Sequence, residues 1–466
     1  MLIATMAAAV AAVLPAAAPA AAAVPAAAAE EPVRTEVSFT SADGTVLHGA
    51  VLAPRTAVAG SRGPGLVMVA GAGPGKLADL RDAAAAYARR GIPTLVYDKR
   101  TNGYSLTRRD YGTLADDALA AVRLLRTRPD VDPSRVGLWG LSEGAWVVSL
   151  AATRSSDVSF LVTAGAAGLT PSRQEAWAYG GYLRHAGVSG SLLPAMQDTA
   201  IRQLVGAGLF PEADYDPVPV WERVHQPVLA EWGTLDREAA PEESAAVIRQ
   251  ALDRAGNTHY TLRTIPGVRH NLHVTHDDGY DRPKELPSDY ADYESAWITR
   301  LGTGLPPVTV DPAPHQDTAS RPLAPLAWYE ATWLQAAVTA LCLLGFAAYA
   351  LTGAVRRVRR RPRHDALPRS ARWAALAGTA AVLTTLGYLL YLAATAAALP
   401  GPVVLGRPVV WLAAQLLAVL TLATSAHTAL RYRRTLPPGD RRRLAGLLLA
   451  AAVFVPWAAY WGLLRP

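Results

Sequence analysis

Gly140-Leu141-Ser142-Glu143-Gly144 is the stretch of this chain best suited to nucleophilic chemistry. It follows the apolar run Val136–Trp139, which reads as a strand, and opens a stretch that reads as a helix. A serine on such a strand-turn-helix has a strained backbone, and small neighbours let the adjoining chain approach closely. Its hydroxyl then stands exposed at the carboxyl end of a sheet. The bare five-residue pattern is a weak signal, and the strand-turn-helix context carries the reading. A serine hydroxyl also needs a base, and the base needs an acid to orient it, expected here in the chain order acid then histidine. Asp236 follows the apolar run 227–232, and His270 follows 260–265. Both fall on loops at the edge that carries Ser142. The reading is therefore Ser142 as nucleophile, His270 as general base and then general acid, and Asp236 as the group holding its tautomer. Glu231, Glu238 and Glu242 lie near enough to Asp236 to leave the acid the least determined member.

A tetrahedral intermediate needs two amide donors. The N–H of Glu143 is one candidate. Ala72, in the loop Gly71-Ala72-Gly73-Pro74-Gly75, is the other. That loop is not a phosphate loop, because Ala70 stands where the first glycine is required and Leu77 follows Lys76 where a metal-binding hydroxyl should be. His270, His273 and His276 with Asp277 and Asp278 fall in an irregular loop, so no metal is expected, and the chemistry calls for no cofactor.

Holding these groups requires a sheet with its loops gathered at one edge. Val33–Phe39 and Thr45–Leu52 alternate like half-buried strands around the turn Asp43-Gly44. The pattern then changes to continuous apolar runs, 65–70, 93–97, 136–139, 160–164, 227–232 and 260–265, as for strands buried on both faces. Helical stretches separate them at 77–90, 111–126, 143–152 and 241–255, with a last one at 289–301. Such alternation implies βαβ units and a mostly parallel sheet flanked by helices over residues 33–302. Residues 170–224 interrupt it with Trp177, Tyr179, Tyr182, His185, Met196 and Phe210, and read as a helical cap insertion. Those aromatics suit an acyl pocket as well as they suit plain packing.

Composition explains the rest of the 466 residues. Apolar residues make up 51% and charged residues 18%, a charge deficit for a soluble protein. Four apolar segments, 329–352, 373–398, 408–430 and 444–463, are each long enough to cross about 30 Å of hydrocarbon. Trp328, Tyr329, Trp333, Trp373, Trp411, Trp457 and Trp461 lie near their ends, where interfacial aromatics belong. Loop 353–372 carries Arg356, Arg357, Arg359, Arg360, Arg361, Arg363, Arg369 and Arg372. Loop 431–443 carries Arg431, Arg433, Arg434, Arg441, Arg442 and Arg443, whereas the loop between the second and third segments carries Arg407. Basic loops stay cytoplasmic, so the domain before the first segment is expected on the extracytoplasmic side. The net charge of +7 thus serves topology and gives no reason to expect nucleic acid. Residues 1–30 read as a signal peptide, which agrees with that sidedness. Residues 303–327, rich in Pro, Thr and Asp, read as a linker. The single cysteine, Cys342, lies within an apolar segment and reads as a packing residue.

In three segments the chain resembles the α/β-hydrolase superfamily, nearest its dienelactone hydrolase, serine peptidase and acyl thioesterase-like branches. They are Gly71-Ala72-Gly73-Pro74, Tyr97-Asp98-Lys99-Arg100 and Ser142-Glu143-Gly144. Ala70 stands where many relatives have His, and Thr101-Asn102-Gly103 replaces a tighter turn. The resemblance implies an α/β-hydrolase fold, a serine acyl-enzyme route and substrates with an acyl bond. Carboxylic esters are expected, small-molecule or lipid, with the membrane as a partner. The alternatives are a peptidase with the same triad and an inactive fold serving as a binding or sensor module.

Overall fold

The computed structural model describes residues 31–55, 62–359, 369–431 and 438–466. The expected signal peptide and much of both Arg-rich loops lie outside them. Among the described residues the chain opens with β1 (Val33–Thr40) and β2 (Val46–Ala53), then β3 (Gly63–Val69), α1 (Leu77–Arg89), β4 (Thr94–Tyr97) and α2 (Tyr111–Arg126). It continues through β5 (Val131–Leu141), α3 (Glu143–Arg154) and β6 (Leu161–Ala164) into the insertion. There α4 (Pro171–His185), α5 (Leu192–Pro194), a π-helical turn (Ala195–Ala200), α6 (Ile201–Gly206) and α7 (Val218–Trp221) follow one another. β7 (Val228–Leu235), α8 (Pro241–Arg254), β8 (Tyr260–Arg269), α9 (Asp292–Arg300) and β9 (Thr309–Val310) complete the first part.

These strands form one sheet in the order β1-β2-β4-β3-β5-β6-β7-β8-β9. β1–β2 and β2–β4 pair antiparallel, and every later pair is parallel. Sheet order and pairing are those of an α/β-hydrolase fold. The continuous apolar runs are explained by burial on both faces. Val67 and Val69 of β3 pack with α2, α3 and α8, while Leu66 and Met68 pack with α1 and α9. Successive residues of a strand face opposite sides, so two helical layers demand an unbroken run. β5 begins earlier than its apolar core, at Val131, because the β3–β5 register shifts between Gly63 and Gly65 and accommodates Asp132–Arg135. Residues 303–327 are laid along the domain: β9 extends the sheet beside β8, and Trp177 Nε1 donates to Thr318 O at 2.7 Å.

After a 3₁₀ turn at Trp328–Glu330 come four helices, α10 (Thr332–Val358), α11 (Arg369–Ala394), α12 (Val409–Leu430) and α13 (Pro438–Tyr460), long and apolar enough to cross a membrane. A small hairpin, β10 (Val403–Val404) and β11 (Arg407–Pro408), joins α11 to α12. Their Arg-bearing ends lie together, where Arg443 donates to Tyr349 O at 2.6 Å and Ser370 meets Thr428 at 2.8 Å. The cap is seated on the opposite ends. Trp328, Tyr329, Trp333 and Trp373 are exposed, as interfacial aromatics would be. Trp411, Trp457 and Trp461 are not, since they are buried in the core that the cap and the helices share. Trp411 sits there because Ser191 of the cap offers its indole a partner at 3.3 Å, while Trp457 bonds to Thr339.

The turn after β5 is the tightest place in the sheet. A Cβ on Gly140 would lie 2.4 Å from Gly144 O, and one on Gly144 would lie 2.4 Å from Val69 O. Both obstacles are backbone, so neither yields cheaply. Gly144→Ala is therefore expected to destabilise the protein by about 1–3 kcal/mol, seen as a lower thermal midpoint in detergent. Gly387→Ala in α11, whose Cβ would meet nothing within 4 Å, serves as the control and should not lower it. Equal effects of the two would contradict this packing.

Candidate active site

Ser142 occupies the turn between β5 and α3 with φ 52° and ψ −116°, a left-handed conformation that only a tightly held residue keeps. Its N–H bonds Ala164 O of β6 at 3.0 Å, which fixes the turn to the sheet. Asp236 and His270 stand on the loops after β7 and at the end of β8. His270 Nδ1 lies 2.9 Å from Asp236 Oδ2. The other oxygen, Oδ1, accepts the N–H groups of Glu238 and Ala239 at 2.8 and 2.9 Å, so the carboxylate cannot rotate away. Asp236 and His270 are both buried. His270 Nε2 has no hydrogen-bond partner among the described residues, Ser142 included. Hydrogen bonds of this kind tighten when substrate arrives. Ser142 and His270 line one cavity of about 640 Å³, together with Ala72. Of the carboxylates near Asp236, Glu231 pairs with Arg263 and Glu238 with Arg269, and it is Asp236 that hydrogen-bonds the imidazole.

Burial by itself would lower the His270 pKa, but the carboxylates of Asp236 and Glu238 outweigh it and raise the imidazole above its ordinary value. Glu175 of α4 also lines the cavity, and burial together with Glu238 pushes its carboxyl up to about 7.

The loop expected to supply an amide is held by a group that the sequence reading used only for its backbone. The Glu143 side chain turns under the elbow and is almost wholly buried. Its Oε1 accepts Lys99 Nζ at 2.9 Å and Tyr104 OH at 2.7 Å, and its Oε2 accepts Arg109 at 2.5 Å. Burial raises a carboxyl, yet Lys99 and Arg109 hold this one below its usual range, so it stays ionised. Lys99 also donates to Gly71 O, and Tyr104 OH accepts from Gly73 N–H at 3.0 Å. The residues on either side of Ala72 are thereby tied to the helix that begins at Glu143. The N–H groups of Ala72 and Glu143 donate to no other turn or loop among the described residues.

Lys99, Tyr104, Arg109 and Glu175 escaped the sequence reading. Lys99 lies inside the Tyr97-Asp98-Lys99-Arg100 segment, which carries a family resemblance but does not say which way the side chain points. Its neighbour Arg100 does different work, pairing with Asp117 of α2 at 2.5 Å and with Asp43 at 2.7 Å.

Comparison with known proteins places this geometry. Residues 119–275 match the family model described as the C-terminal domain of BAAT / acyl-CoA thioester hydrolase. The chain is 38% identical over 123 residues to the polyketide transferase ATR5 of Stachybotrys chlorohalonatus, covering 26% of this chain and 39% of that protein. It is 35% identical over 127 residues to the thiohydrolase aneE of Aspergillus aculeatus, covering 26% and 38%. The chain thus spans about two fifths of the length of the curated relatives it matches. Among solved structures it is similar to an esterase from Pyrobaculum calidifontis, with TM-score 0.41, 18% identity, and coverage of 59% of this chain and 88% of that one. It is also similar to a puromycin-hydrolyzing peptidase of Mycobacterium tuberculosis, with TM-score 0.42, 18% identity, and coverage of 63% and 43%. The sheet order and the strained serine turn are those of an α/β-hydrolase fold, and the centre of the chain, residues 119–275, is similar to the acyl-CoA thioester hydrolase family.

Proposed function

We propose that the protein is a membrane-anchored serine hydrolase that cleaves acyl esters by way of an acyl-enzyme, with its catalytic domain on the extracytoplasmic side. The observation that carries the proposal is the set of groups gathered at one sheet edge. They are a strained Ser142 and a His270 bonded at 2.9 Å to an immobilised Asp236, with Ser142 and His270 sharing a cavity. In this reading Ser142 Oγ attacks the acyl carbonyl carbon while His270 Nε2 takes its proton. The amides of Ala72 and Glu143 stabilise the oxyanion. Collapse breaks the bond to the leaving group, which receives the proton from His270. Water then attacks the acyl-enzyme with His270 again as base, releasing the acid and Ser142. The names of the curated relatives, a thiohydrolase and an acyl-group transferase among them, favour a second reading in which the scissile bond is a thioester. The extracytoplasmic placement favours the oxygen ester, since acyl-CoA would not be met there.

A fluorophosphonate probe tests the nucleophile. Wild-type membranes should label and Ser142→Ala membranes should not, with ester turnover falling by roughly 10³-fold or more. Labelling of a correctly folded Ser142→Ala protein at another serine would refute the assignment. Protonation offers an independent check. His270 must be neutral to act as base, so kcat/KM should rise with pH through its raised pKa. Glu238→Gln removes a charge that stabilises the imidazolium, lowers that pKa, and should move the acid limb to lower pH. An unmoved limb, or one moved to higher pH, would contradict the assignment of His270. Sidedness is read with an impermeant maleimide on intact cells in a Cys342→Ala background. Thr303→Cys should label and Arg372→Cys should not, and the opposite pattern would overturn the orientation.

A further inference from the structure

The cavity that holds Ser142 is lined in part by the end of α11, a helix long and apolar enough to cross a membrane. Leu390, Ala393 and Ala394 of α11 and Ala396 just beyond it line the same cavity as Ser142 and His270. This wall is built with care. α11 turns over through Ala396 and Ala397 at φ 49° and 57°, left-handed conformations that alanine adopts only under constraint. Tyr179 of α4, itself a lining residue, donates to Ala393 O at 3.4 Å. Around it the cap is keyed to the neighbouring helix ends. Arg202 pairs with Glu330, Gln203 bonds Glu330 O and Tyr460 OH at 2.7 Å each, and Gln415 bonds Ser191 at 3.2 Å.

One lining residue has a second side. Leu390 is 57% exposed, and so are Leu383 at 57% and Leu376 at 53%. A spacing of seven residues is close to two helical turns, so the three form a single stripe along α11. In a bilayer that stripe meets lipid tails along its length, and its uppermost member is part of the catalytic cavity. Leu390 lies four residues, about 6 Å, inside the helix end at Ala394, so this part of the cavity lining falls within the apolar length of α11. The same lining carries the polar residues Arg109, Glu175, Arg269 and Arg282 with Ser142.

We infer that the substrate is a bilayer-resident acyl lipid that enters sideways along the Leu376–Leu383–Leu390 stripe, its chain lying against α11 and its ester bond rising to Ser142. This rests on the acyl-hydrolase reading. It makes the four helices part of the substrate site as well as an anchor, and assigns α11 the role of acyl-chain guide. An apolar chain leaving the tails for this route keeps apolar contact throughout, so a lateral path avoids the cost of crossing water.

The test uses the full chain in phosphatidylcholine vesicles that contain a diacylglycerol with a diazirine at the end of a palmitoyl chain. Irradiation of the Ser142→Ala protein should give adducts within α4, the cavity-lining helix of the cap, which bulk lipid does not reach. Adducts confined to the outward faces of α10–α13 would overturn the inference. In the wild-type background, Leu390→Arg should lower the ratio of vesicle diacylglycerol turnover to soluble p-nitrophenyl butyrate turnover by roughly tenfold. An unchanged ratio would overturn lateral entry while leaving the serine-hydrolase reading in place. A wild-type protein that cleaves neither ester would instead defeat that reading, and the adducts in α4 would still decide this one.

Discussion

The carboxylate of Glu143 is the charge on which the site depends. A buried ion persists only when it is paired and hydrogen-bonded, since the desolvation of an unmatched one costs several kcal/mol. Here Lys99, Arg109 and Tyr104 meet that demand together, and each comes from the segment between β4 and α2. Two of them continue onward to Gly71 and Gly73. The result is a closed circuit from the start of α3, through the β4 turn, to the loop after β3. The Glu143 side chain thereby anchors the loop after β3 to the start of α3. The elbow and the loop therefore cannot drift apart without breaking an ion cluster sealed from water.

A second constraint comes from the cap. Trp221 and Val224 at its end join the core of the sheet, but the apolar residues of α4 to α6 largely do not. Tyr179, Tyr182, Leu183, Met196 and Ile201 are buried with Phe346, Leu389, Trp411 and Trp457 of the long helices. This part of the insertion thus shares its core with the long helices, while α4 also lines the cavity of Ser142. Arg202 and Glu330 complete the joint with a pair of buried or nearly buried charges. The helices that pack against the cap thus also pack against residues lining the cavity of Ser142.

The residues with strong local grammar were legible from the sequence. The strands were readable because burial on both faces demands uninterrupted apolar runs. The elbow was readable because Gly140 and Gly144 stand where a Cβ would strike backbone oxygen. The long helices were readable because spanning hydrocarbon leaves no freedom in length or polarity. The acid was the least determined, since Glu231, Glu238 and Asp236 share one loop region and only the fold shows which reaches the imidazole.

By itself, then, the sequence determined the fold class, the four apolar helices, and the order in which nucleophile, acid and histidine are laid along the sheet. These follow from periodicity and from loops that must emerge at one edge. Tertiary structure alone decided that the Glu143 side chain would anchor the loop after β3, that Trp411, Trp457 and Trp461 would turn inward, and that the end of α11 would line the cavity that holds Ser142. Each of these is a contact between residues dozens to hundreds of positions apart, such as Glu143 with Lys99 or Tyr179 with Ala393. Local pattern carries no record of such pairings, because what fixes them is the matching of buried charge and volume once the layers have come together.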